Sequence, residues 1–156
     1  LSGKFNLDSI IDFYLMLNFT QNKDGLVTNQ YIAHDESGRW YIVPWDYDKT
    51  FSDDNPEGLS NMFITRLVKD YPGFNSLLSE KWSSLRAGPM SDEAVIARID
   101  SDANLLAPYM GYEYALLQPA GWDGDFPSAV AKLKAVVSAR LALMDKKFAP
   151  RGPVRQ

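Results

Sequence analysis

Cysteine is absent from this chain of 156 residues, so disulfides and thiolate metal sites are excluded outright. Histidine occurs once, at His34 beside a turn, which leaves no basis for a Ser-His-Asp hydrolase or a multi-histidine metal site. No run of about 18 apolar residues exists, and a transmembrane span therefore has no candidate segment. Basic residues are in deficit: 16 Lys and Arg against 20 Asp and Glu give a formal net charge of −4. A nucleic-acid binder needs a basic patch to neutralise phosphates, and none is offered. The clusters Lys132 to Lys134 and Lys146-Lys147 read as the solvated face of a helix. Repeats and low-complexity segments are missing too. So is any Gly-rich loop, or a strand lysine in an Ala-Ile-Lys-like context, ahead of residue 24.

What is present suits a packed domain. Apolar residues make up 46% and aromatic ones 13%, enough for a real core. Asn6 or Asp8 can cap a first helix whose apolar face is Leu7, Ile10, Ile11, Tyr14 and Leu15, ending near Asn18. A polar loop to Gly25 is expected next. Leu26 to Ala33 alternates as a strand, Asp35 to Gly38 makes a turn, and Trp40 to Val43 returns as a second strand stopped by Pro44. An acidic loop comes next over Ser52 to Gly58. Helical patterns cover Leu59 to Lys69 and Phe74 to Leu85, parted by Tyr71-Pro72-Gly73. Ser91, with Asp92 and Glu93 behind it, starts a further helix through Val95, Ile96, Ile99, Leu105 and Leu106, with room for a kink. Gly121 to Asp125 is a loop. The last helix repeats Phe126, Val130, Leu133, Val137, Leu141, Met144 and Phe148, opens on Pro127 and stops at Pro150 and Gly152. The expected class is mainly α with one β-hairpin (α+β), a single domain over 1–150 and a tail over 151–156.

The chemistry-bearing residues gather around that hairpin. Asp24 is followed five residues later by Asn29, the Asp-x-x-x-x-Asn spacing of a kinase catalytic loop. Asp46 and Asp48 come at the other end, in Pro44-Trp45-Asp46-Tyr47-Asp48. Antiparallel pairing brings the two ends together. Phosphoryl transfer asks for such a set: one carboxylate to position the attacking hydroxyl, with an Asn and an Asp to hold Mg²⁺ against phosphates. Each residue alone has a plainer explanation. Asn22-Lys23-Asp24-Gly25 is strong turn chemistry, Asn29 an ordinary strand-edge residue, and an Asp after a proline a common cap. Tryptophans are more often core than ligand platforms, and Trp40 and Trp45 read as core packing that rigidifies the hairpin. Thr20-x-Asn22-x-Asp24-Gly25-x-Val27 echoes an EF-hand loop, but Thr20 and Tyr31 stand where its first and twelfth ligands belong, so calcium is rejected.

Residues 11 to 52 resemble the core signature of the CotH kinases, a family named for a spore-coat protein. Its most specific piece is Trp-x-x-x-Pro-Trp-Asp-x-Asp, here Trp40 to Asp48. Trp82-x-x-Leu85-Arg86 and the terminal helix are compatible with it. The resemblance implies an atypical secreted protein kinase with a reduced kinase-like fold, of which this chain looks like the C-terminal lobe. It implies ATP with Mg²⁺ or Mn²⁺ as cofactors, and Ser or Thr hydroxyls of spore-coat or cell-surface proteins as acceptors. It also implies that Asp24 is the catalytic carboxylate, that Asn29 and Asp46 serve metal and nucleotide, and that Asp48 shares the metal.

Two departures from ordinary kinases stand out: no His-Arg precedes Asp24, and no Gly comes after Asp46-Tyr47. Without a Gly-rich loop or phosphate-binding lysine, the 156 residues are expected to be inactive alone and to need an N-terminal lobe from the same protein. The alternative is a pseudokinase or structural module of a spore coat or extracellular assembly. A two-metal phosphohydrolase is a distant third, since the further Asp, Glu or His ligands it needs are lacking.

Overall fold

The computed structural model describes residues 3–51, 58–118, 120–121 and 123–149. In chain order the elements are α1 (Leu7–Thr20), α2 (Lys23–Val27), β1 (Gln30–His34), β2 (Trp40–Pro44), α3 (Met62–Asp70), α4 (Phe74–Arg86), α5 (Asp92–Leu117) and α6 (Phe126–Phe148). The class is α+β, with one antiparallel two-stranded sheet. Ser52 to Glu57 of the expected acidic loop, Pro150 and the tail over 151–156 lie outside the described residues. Two compact units emerge, Leu1–Ser84 with Ala142–Gln156, and Leu85–Leu141.

In the first unit α1 is the central element. Asn6 caps it, its side-chain oxygen accepting the Ser9 N–H at 3.2 Å. Burial takes in more than the expected stripe: Ile10, Ile11, Phe13, Tyr14, Leu15, Leu17 and Asn18 are all buried. A helix apolar over most of its circumference belongs inside. Each such fully buried aliphatic side chain contributes roughly 1.5–3 kcal/mol. Ile64 and Leu67 of α3, Phe74, Leu78 and Trp82 of α4, and Met144 and Phe148 of α6 complete the core of this unit. Polar ties fix the packing. The Trp82 indole N–H donates to Asp145 Oδ1 at 2.9 Å, and the Ser79 hydroxyl to the Phe148 carbonyl at 2.8 Å.

A second tie joins α1 to the lead-in of α3. Asn18, fully buried, donates its amide to the carbonyls of Tyr14 (2.9 Å) and Leu59 (3.1 Å). Its oxygen accepts from the Leu59 N–H and from Lys147 Nζ, both at 3.0 Å. Gly58 fits beneath these groups with a φ of +79°.

The hairpin docks on the start of α1. Its register pairs Gln30 with Pro44, Ile32 with Ile42 and His34 with Trp40. The Asn6 N–H donates to the Trp40 carbonyl at 2.7 Å, and the Trp40 N–H to the Lys4 carbonyl at 2.8 Å. The Ile42 N–H donates to the Ser9 hydroxyl at 3.1 Å. β2 is therefore held on both sides, and the segment from Trp45 onward leaves from a fixed point.

Three expectations from the sequence are corrected. The strand starts at Gln30, not Leu26, because Asn22 caps a short helix and Leu26 turns toward the cluster of Phe13, Leu17 and Leu59. The helix expected from Leu59 starts at Met62, where Asn61 supplies the cap. Trp40 and Trp45 are 40% and 59% exposed, so they stiffen the hairpin from its surface. Their edge contacts are with His34 (5.1 Å) and Tyr31 (5.8 Å).

In the second unit α5 is one unbroken helix of 26 residues, with Pro108 inside it and no buried residue. Ser91 caps it and Arg86 pairs with Asp92 at 2.8 Å. Lys134 of α6 is bonded to Asp100 of α5. Among the described residues no helix is long and apolar enough to cross a membrane.

Candidate functional site

The site lies where α2, the start of β1 and the segment after β2 meet. Asn22, fully buried, makes the junction. Its side-chain oxygen accepts the Gly25 N–H at 3.0 Å, capping α2, and its amide donates to the Asp46 carbonyl at 3.3 Å. Asp24 stands in the first turn of α2, where the helix N-terminus favours a carboxylate. Its backbone carbonyl accepts the N–H groups of Thr28 and Asn29, both at 2.8 Å, which ends the helix and turns the chain into β1.

Asn29 closes the other side. Its carbonyl accepts the Trp45 N–H at 3.0 Å, and its side-chain amide donates to the Asp46 carbonyl at 3.0 Å. Two asparagine amides thus converge on a single backbone oxygen. That oxygen belongs to a residue with φ of +51°, a left-handed conformation that a non-glycine side chain adopts only when its surroundings insist. Asp46 and Asp48 both present their side chains to solvent. Between them Tyr47 turns inward. Its hydroxyl has no hydrogen-bond partner among the described residues, burial pushes its pKa up, and a Cβ on Gly25 would lie only 2.9 Å from it. Farther on, the Phe51 N–H donates to the Thr20 carbonyl at 2.8 Å, and the Phe51 ring meets Phe19 edge-on at 5.3 Å.

Lys49 gives the centre its electrostatics. Its Nζ lies 2.9 Å from Asp24 Oδ2, with the two side chains 68% and 41% exposed. The Lys49 ammonium is held protonated above its ordinary range, first by the hydrogen bond to Asp24, then by the charges of Asp24, Asp48 and Asp46. One cation therefore feels all three carboxylates singled out in the sequence. Asp24, Asn29, Asp46 and Asp48 do come to one locus, but Asn29 reaches Asp46 through the backbone carbonyl, not the carboxylate. Lys49 was not foreseen as a member. Its signal was its place directly after Asp48, and that signal points nowhere until the chain closes back on Asp24.

The donor set consists of carboxylate and amide oxygens, which are hard ligands suited to Mg²⁺ or Mn²⁺. A centre whose carboxylates favour the protonated Lys49 ammonium, bonded to Asp24, fits a cation electrostatically. Among the described residues no group of three or more His, Asp and Glu side chains is placed to hold a metal ion by itself. Phosphoryl-transfer sites do not need one, since Mg²⁺ is commonly held by one or two carboxylates, waters and the phosphates themselves. A separate apolar cavity of about 220 Å³, lined by residues such as Phe13, Ile32, Trp40 and Phe63, includes none of the four site residues.

The sequence profile of a family described as CotH kinase protein matches residues 1–144. The chain belongs to the CotH kinase family. No significant match was found among curated proteins or solved structures. Membership in this kinase-like family covers the whole hairpin and its acidic end, and it carries a general expectation of nucleotide and metal use with a protein substrate.

Proposed function

We propose that this CotH-family chain supplies the catalytic and metal-holding part of an atypical protein kinase, corresponding to the C-terminal lobe of a kinase-like fold. The reaction is transfer of the γ-phosphoryl group of ATP to a Ser or Thr hydroxyl of a protein, with spore-coat or cell-surface proteins as the acceptors. The observation that carries this reading is the bond of Lys49, in the segment of Asp46 and Asp48, back to Asp24, with the Asn29 amide bonded to the Asp46 carbonyl.

Asp24 is the group placed to orient the acceptor hydroxyl and take its proton as the new P–O bond forms. Its carboxylate is half-exposed, and capping by Asn22 fixes the turn that presents it. Asp46, Asp48 and the amide oxygen of Asn29 are the groups that would hold Mg²⁺ or Mn²⁺. When bound, such an ion neutralises phosphate charge and aligns the γ-phosphoryl group. The protein's own contribution is rigidity. The Asp46 carbonyl, held by two asparagine amides, and the inward Tyr47 fix the backbone from which the flanking carboxylates project.

The test is calorimetric titration of ATP with Mn²⁺ or Mg²⁺ into the full-length protein, beside Asp24→Ala and Asp46→Ala. Metal-dependent binding should be lost in Asp46→Ala and largely kept in Asp24→Ala. Phosphotransfer should fall at least 100-fold or so in Asp24→Ala, the usual scale of a lost general base. A folded wild-type protein with no nucleotide binding would instead favour a structural module.

A further inference from the structure

The strongest feature outside the expected set of site residues is Lys49. It sits in the segment that carries Asp46 and Asp48, yet its ammonium reaches back across 25 residues to Asp24. The root of the segment is pinned by the bonds to the Asp46 carbonyl and by the Phe51–Thr20 bond, while the lysine tip lies in solvent. A fixed root with a solvated tip suits a group that changes partners. An exposed ion pair contributes little to stability, so its exchange costs little. Lysine fits such a duty as a compact point charge on a flexible stem.

We propose that Lys49 is a positioning residue that serves as resident counter-ion of the acidic centre. It holds Asp24 in place while no divalent cation is present, and it gives up that contact when the cation enters. The inference rests on the reading that Asp46 and Asp48 face a metal ion. Two cations near one set of carboxylates repel each other, so the lysine and the divalent ion compete for the same field. Removing the ammonium should strengthen binding of the metal alone, while loosening the carboxylate that must receive the hydroxyl proton.

The experiment titrates Mn²⁺, first alone and then with ATP present, into the full-length protein and its Lys49→Met and Lys49→Arg variants, by calorimetry and by the Mn²⁺ electron-spin signal. Lys49→Met should bind Mn²⁺ roughly tenfold more tightly than wild type, the scale of one close charge at a protein surface. Lys49→Arg should return to the wild-type value. Both should keep the wild-type melting temperature, because the side chain is exposed. Equal Mn²⁺ affinity in wild type and Lys49→Met overturns the counter-ion role and leaves the metal reading standing. Absence of Mn²⁺ binding from both proteins, each folded and with ATP present, overturns the metal reading along with it.

Discussion

Asn18 and Asn22 lie four residues apart, both fully buried, and both use their amide to tie the end of α1 to a distant segment. Their surroundings separate them. Asn18 is enclosed by Tyr14, Leu59 and Lys147, and its bonds to all three stay inside the packed core. Asn22 ties instead to Asp46, where the backbone is left-handed and the neighbouring carboxylates face solvent. The same amide chemistry builds a structural knot in one place and a frame for charged groups in the other. What distinguishes the second is unrelieved cost: a positive φ at Asp46 and a buried Tyr47 hydroxyl with no partner among the described residues. Strain and unsatisfied polar groups of this kind concentrate at functional sites.

The largest stability effect should come from the Asn18 side. A Cβ on Gly58 would collide with Lys147 Nζ and Asn18 Oδ1, on a backbone of φ +79°. Lys147 can swing its tip away, but Asn18 is buried and cannot move without leaving polar groups unpaired. Gly58→Ala should therefore destabilise the protein by about 2–4 kcal/mol, combining backbone strain with lost buried hydrogen bonds. Urea unfolding measures this directly, and a loss below about 0.5 kcal/mol would show the knot to be slack.

The frame around Asp46 should respond in the opposite manner. Gly25 lies inside α2, where Ala is intrinsically better by about 1 kcal/mol, yet its added methyl would press on the Tyr47 hydroxyl at 2.9 Å. Those two effects offset, so Gly25→Ala should change stability by less than about 1 kcal/mol. Displacement of Tyr47 moves Asp46 and Asp48 together, and ATP·Mn²⁺ affinity should drop roughly tenfold, a shift of about 1.4 kcal/mol. Paired melting and calorimetric measurements decide it. Unchanged affinity would mean that Tyr47 does not set the carboxylates.

Much of this was legible in the residues themselves. The stripe of α1, its Asn6 cap, the hairpin and the Pro127 start of α6 arise from local patterns that tertiary contacts reinforce. The acidic residues were legible as types at spacings. The atoms through which they meet were not. Asn29 bonds the carbonyl of Asp46, an arrangement set by the left-handed turn after Trp45 and carried by no side-chain pattern. α2 was hidden because Asn22-Lys23-Asp24-Gly25 looks like turn chemistry, and the burial of Leu26 that favours a helical turn is tertiary. The pattern of α5 left room for a kink, but the helix continues unbroken through Pro108. Lys49 is the clearest case: an exposed lysine acquires meaning only when a loop closure of 25 residues sets it on Asp24.

The smallest effect concerns protons and sharpens the contrast from the structural side. Tyr14 lies beside Asn18 in the core, its ring edge-on to Phe148 at 6.0 Å. Burial pushes its pKa above the ordinary 10.0, a shift partly opposed by its hydrogen bond with Asn18. A group whose folded pKa is raised keeps its full stabilisation below its unfolded pKa, and loses it as pH climbs through the folded value. The unfolded chain then releases the proton first, so stability falls by at most about 1.4 kcal/mol per pH unit in that window. Melting temperatures from about pH 9 to about pH 11 should decline more steeply in wild type than in Tyr14→Phe, which has no proton there to lose. Parallel curves would mean that Tyr14 ionises as easily in the folded protein as in the unfolded chain, and that the core around Asn18 admits water. The knot would then be no drier than the site, and the distinction between the two asparagines would rest on the acidic residues alone.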